Sequence, residues 1–225
     1  MDSRMDVYRK NSKGVASIAG RVIPEQVFDQ TTYDREIFQR IFREIAPYDP
    51  DEVLRDEFLN ARGAIARFNR GAIEIRVIDV QECPQADLAI AALTIEVLKL
   101  LVSERWTSLK EQQSLTIDDL EPAFLSAIDA ADEGCVNNAT FLRQLGLHGP
   151  SNSLQDIWQH LYEAVCQRDP AFAPQYGAAV EILLNEGCLA KRILQSIGEQ
   201  DDPRALLQTY RSLADCLAQG RMFHA

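Results

Sequence analysis

Three side chains in the first third of the sequence have the types and spacing for phosphate and metal chemistry: Arg67, Glu74 and Arg76. Glu74 and Arg76 stand two residues apart in AIEIRVID, so on a β-strand both project from one face. A carboxylate can ligate a hard cation such as Mg2+, and the fork of a guanidinium matches phosphate oxygens. Chemistry on ATP uses that combination, because metal and arginine together offset charge on the transferred phosphoryl group. Arg67 joins the pair if the strand register puts it on the same face. The plainer reading of these residues is a solvated sheet face carrying cross-strand ion pairs, each worth ~0.2–1 kcal/mol. Arg4 in DSR, and Asn60 and Arg62 in LNAR, are candidates for contacting a substrate carboxylate or phosphate, or else loop groups with local hydrogen bonds. Asp79 either binds a metal-bound water or starts the turn before Pro84. Cys83 reads as structural, since no histidine is near it in sequence.

These residues need a hairpin to bring them together, and the sequence supplies its signals. ARGAIARF and AIEIRVID flank NRG, and Asn and Gly tolerate the positive φ that a tight turn requires. Alternation sets Ile73, Ile75 and Val77 against Glu74 and Arg76, and sets Ile65 and Arg67 against Ala64, Ala66 and Phe68. Upstream, Val15 to Pro24 reads as an extended segment or loop. Tyr33, Ile37, Phe38, Ile41, Phe42 and Ile45 recur at helical spacing, with Thr32 or Asp34 as cap and Pro47 as stop. DPDEVLRDEFL predicts a shorter helix. After Pro84 the periodicity predicts helices over 85–104, 118–132, 153–168, 174–197 and 203–219. The fold class expected is α+β: a small antiparallel sheet, then a mainly helical carboxyl-terminal region. The division expected is 1–104 for the sheet with its packed helices and 105–225 for the helical remainder.

Composition narrows the function classes. The 225 residues are 46% hydrophobic and 25% charged, ordinary for a globular protein. The net charge of −11 is uneven: residues 1–76 hold 13 basic and 13 acidic side chains, leaving 23 − 13 = 10 basic and 34 − 13 = 21 acidic for the rest. So acidic a chain is a poor nucleic-acid backbone binder, whereas its arginine-rich first third suits a small anion. The longest apolar stretch, Leu88 to Val102, is interrupted by Thr94, Glu96 and Lys99, and predicts no membrane partner. The first residues lack the apolar core of a secretory signal, and the five cysteines (Cys83, Cys135, Cys166, Cys188, Cys216) form no CxxC pair. Buried thiols in a cytoplasmic protein are the expectation.

RGAIARFNRGAIEIRVIDVQECPQADLAIAA, together with the opening DSRMDVYRKNS…GRVIPE and the closing GRMF, is similar to the later part of bacterial glutamate–cysteine ligases of the carboxylate–amine ligase type. The resemblance implies a glutamine-synthetase-like fold, in which an antiparallel sheet lines a funnel for ATP, metal ions and an amino acid. It implies that Glu74 binds metal (Mg2+) and that Arg76 binds phosphate. The reaction it implies activates a carboxylate, such as that of glutamate, as an acyl phosphate; an amine, such as that of cysteine, then attacks. The family's acidic GxExE strand and histidine strand are missing: the three histidines all follow residue 147. The expectation is therefore a partial ligase, completed by a separate amino-terminal half or a homo-oligomer, or else a non-catalytic interaction module with an exposed sheet edge.

Overall fold

The computed structural model describes residues 3–198 and 202–225. In chain order the longer elements of the amino-terminal region are α1 (Ser3–Asn11), α2 (Gln30–Tyr33), α3 (Gln39–Ile45), β1 (Ala64–Arg67) and β2 (Ala72–Ile75). Then come α4 (Pro84–Val102), α5 (Leu109–Gln112), α6 (Ile117–Ala130), β3 (Cys135–Val136), α7 (Ala139–Gln144) and β4 (Asn152–Ser153). The chain closes with α8 (Leu154–Arg168), α9 (Ala178–Glu186), α10 (Leu189–Ile197) and α11 (Pro203–Gln219). Helix predominates, and the two sheets are antiparallel strand pairs, β1–β2 and β3–β4. The architecture is α+β with mostly helical content. None of the described helices is long and apolar enough to cross a membrane.

The chain forms two compact units, and both are drawn from separated stretches of sequence. The first comprises Met1–Ile78 and Lys110–Ala130; the second comprises Asp79–Leu109 and Ala131–Ala225. Residue 104, the boundary expected from sequence, falls inside the first stretch of the second unit.

In the first unit the helical run 30–45 follows the apolar periodicity, with one departure. Its cap is Asp29, whose carboxylate accepts the Thr32 N–H at 2.8 Å, not Thr32 or Asp34. A π-turn over Asp34–Phe38 inserts an extra residue per turn, so that consecutive Ile37 and Phe38 are both buried, with Tyr33 and Ile41. The helix expected in 49–59 does not form. The Asp49 carboxylate instead accepts the N–H groups of Val53 (3.0 Å) and Leu54 (2.9 Å), Glu52 takes a left-handed φ of 57°, and only a 3-10 turn at Glu57–Leu59 remains. Met5 of α1, Val22 and Ile128 of α6 make a second small core. Of the Val15–Pro24 stretch expected as an extended segment or loop, the part up to Ile18 winds into 3-10 turns, and the rest is turn and bridge, Arg21 pairing with Ile23.

In the second unit α4 buries Ala86, Ala89, Leu93, Val97 and Leu100. Ser153 caps α8, its side chain accepting the Asp156 N–H at 3.0 Å. The helix expected over 174–197 breaks into α9 and α10 at Gly187, whose φ is 87°. The tail after α11 is tucked in: Met222 and Phe223 are buried. It covers a wholly buried ion pair in which Arg192 of α10 donates Nη1 to Glu82 Oε1 at 2.6 Å, while the Phe223 N–H donates to the same oxygen at 3.0 Å. Arg192 also donates to the carbonyls of Gly187 (3.2 Å) and Phe223. Burial pushes the Glu82 carboxyl up, but the Arg192 guanidinium and the Phe223 N–H outweigh it and hold it below the usual carboxylate range. All five cysteines are free; only Cys83 and Cys216 are buried, and Cys135 and Cys188 are exposed, contrary to a uniform interior placement.

Candidate functional site

The site lies on the β1–β2 hairpin of the first unit. Its register pairs Ile65 with Glu74 and Arg67 with Ala72. Cross-strand partners share a face, so Ile65, Arg67 and Glu74 lie together, with Arg76 continuing that face. The connection Phe68–Arg70 closes on Gly71 at φ 58°, a left-handed position suited to glycine. Ile65 on this face is fully buried, whereas Ile73 on the other is 69% exposed. The charged side chains are partly sheltered, with those of Arg67, Arg76 and Glu74 11%, 21% and 37% exposed, while Ala66 on the other face packs against the Tyr33–Ile41 core.

With Glu57 from the 3-10 turn before β1, these three charges form a neutral cluster of four. Arg67 Nη1 donates to Glu74 Oε2 at 2.9 Å, and Arg76 Nε lies 2.9 Å from Glu74 Oε1. Arg67 Nε lies 3.0 Å from Glu57 Oε2. The two Nε contacts are ion pairs by distance, but neither N–H is aligned on its acceptor, and both atoms are buried. Arg76 Nη1 also donates to the Phe58 carbonyl at 3.2 Å. Two guanidiniums thus converge on one carboxylate, with their Nε donors unaligned and shut away from solvent. The metal set is less complete. Glu74 already spends both oxygens on arginine, Mg2+ asks for about six ligands, and the described residues include no group of three metal-capable side chains.

The remaining sequence candidates fall elsewhere. Arg4 of α1 donates to the Val77 carbonyl at 2.8 Å, tying the helix to the end of the charged strand. Asn60 and Arg62 belong to the interior. Asn60 donates to the Tyr33 hydroxyl at 2.8 Å. Arg62 engages both carboxylate oxygens of Glu25, the Ser17 carbonyl (3.1 Å) and Asn60 Oδ1 (3.0 Å). With only 1% of its side chain exposed, Arg62 has no face to offer a ligand. Burial raises the Glu25 carboxyl, but Arg62 outweighs it and holds it below the usual range. Arg62 therefore braces the loop that leads into β1.

The sequence reading missed a cleft of about 300 Å³ next to the charged cluster. Phe38, Phe42 and Phe68 supply its apolar wall, and Asp34, Asp56 and Glu57 its polar one. Glu57 belongs to both features, since it lines the cleft and faces Arg67. The signal was the acidic pair in RDEFLNAR; reading that stretch as a helix scattered it.

No protein-family profile and no solved structure matches the chain. An uncharacterized protein of Archaeoglobus fulgidus is 26% identical to it over 223 residues, which is 99% of this chain and 52% of the relative. The chain thus spans about half the length of the curated relative it matches.

Proposed function

We propose that this chain is one half of an ATP-dependent carboxylate–amine ligase of glutamate–cysteine ligase type, and that the β1–β2 hairpin is its contribution to the nucleotide site. The observation that carries the reading is the single hairpin face that gathers Arg67, Glu74 and Arg76. Arg67 and Arg76 hold phosphate oxygens, exchanging the Glu74 carboxylate for a phosphate of the same charge sign, so no guanidinium is left bare. Glu74, so released, would offer one of the ligands that Mg2+ needs, and the others would have to come from water, the nucleotide or another chain. ATP, when bound, supplies the phosphoryl group that activates the carboxylate toward the amine. Two further observations fit a partial site: the relative is about twice as long, and among the described residues no strand pairs with the outer edge of β2, whose Ile73 and Ile75 are exposed.

The test is an NMR titration with ATP, with and without Mg2+. Saturable shifts at residues 63–76, lost in Arg67→Ala and Arg76→Ala, are expected. Shifts that are absent at 10-mM-scale nucleotide, or that survive both substitutions, refute the assignment (a range set by the roughly 4 kcal/mol of a millimolar complex). The exposed face of β2 favours a second reading, a binding module whose hairpin edge is covered by another chain. It gains if ATP fails while the chain elutes with a partner that protects the β2 amides from hydrogen exchange.

A further inference from the structure

We infer that the cleft beside the hairpin is a binding site for an organic amine, a cation carried on a flat apolar body. Its volume of about 300 Å³ is at the low end of small-ligand sites. Phe38 and Phe42 stack nearly parallel, with centroids 6.0 Å apart and planes 12° from each other, and Phe68 adds a third ring to the lining. Aromatic faces attract cations as well as apolar surface. The polar wall has the matching sign. Arg55, the cationic residue of the lining, lies 2.9 Å from Glu52, outside it. Against it stand three carboxylates. Among the described residues the Asp56 carboxylate has no hydrogen-bond or ion-pair partner, and Asp34 accepts only a long 3.3 Å bond from Gln39. Glu57 Oε2, buried, lies 3.0 Å from Arg67 Nε, which offsets its charge, so Asp56 and Asp34 carry the negative wall.

An anion is repelled here, so phosphates belong at Arg67 and Arg76, and the cleft takes the opposite charge. The two features are joined by Glu57, which puts a cation site beside an anion site. The inference rests on the cleft itself and not on the ligase reading; if that reading holds, the cleft seats the amine that attacks.

Phenethylamine and phenylacetate, titrated separately without nucleotide at pH 7 and low salt, test it by 15N shift mapping. The amine is expected to give saturable shifts at residues 30–42, 55–57 and 68, with at least tenfold weaker binding for phenylacetate. Asp56→Asn, an exposed and nearly isosteric change, is expected to weaken the amine at least fivefold while leaving the spectrum otherwise folded. Equal binding of the two probes overturns the proposal, as does unchanged amine affinity in Asp56→Asn or the absence of saturable shifts in the cleft. Because the titration contains no ATP, a failure here is separate from a failure at Arg67 and Arg76.

Discussion

Replacing Arg192 by Met removes one side of an ion pair whose two side chains are both 0% exposed. Met keeps the length of the side chain but none of its donors. Glu82 is left charged and buried with only the Phe223 N–H, and the carbonyls of Gly187 and Phe223 lose their donor. Breaking a buried pair in this one-sided way costs about 3–5 kcal/mol. With a urea slope of roughly 2 kcal/mol/M, the midpoint falls by about 1.5–2.5 M. Both tryptophans, Trp106 and Trp158, lie in the second unit, so intrinsic fluorescence follows that unit alone. Removing both charges, as Glu82→Leu with Arg192→Met, eliminates the stranded carboxylate and should recover about 1 kcal/mol or more of the loss. A midpoint for Arg192→Met within ~0.3 M of the parent would refute the reasoning, as would a double variant that is simply the sum of its parts.

Acid should weaken both units in the same direction. Glu82 and Glu25 are held below their ordinary value of 4.5 in the folded chain, so the unfolded chain binds protons more readily. Their contribution is full above about pH 4.5 and is lost as pH falls through the lower folded values; urea midpoints at pH 7, 5 and 3.5 check the trend. Gly146→Ala would put a Cβ 2.3 Å from Trp106 Cδ1 at a φ of 77°; we expect a loss of about 2–4 kcal/mol and a red-shifted tryptophan emission. Ser153→Ala removes the cap of α8 and should cost about 1 kcal/mol by urea titration. Arg62→Ala strands Glu25 and should release the β1 amides to fast hydrogen exchange, at a cost of about 3–5 kcal/mol.

The hairpin was legible because its information is local. Alternation and the Asn-Arg-Gly turn fix which residues share a face, and the register brings Arg67 onto the Glu74 face as the site requires. The helices from Pro84 onward were legible for the same reason, except that the run expected over 174–197 is two helices parted at Gly187. What escaped depended on partners distant in sequence. Arg62 looks like any loop arginine until Glu25, 37 residues away, closes on it. Glu57 gained its meaning only from Arg67, and Glu82 only from Arg192, 110 residues on. The stretch 49–59 failed for a local reason: the Asp49 side chain competes for the N–H groups that would begin a helix.

Because each unit is assembled from two stretches that alternate along the chain, neither can close on its first stretch alone. Met5 and Val22 wait for Ile128, and Glu82 waits 141 residues for the Phe223 amide. A cut after residue 78 therefore severs the first unit, parting Met5 from Ile128, and a cut after residue 130 severs the second, parting Glu82 from Phe223.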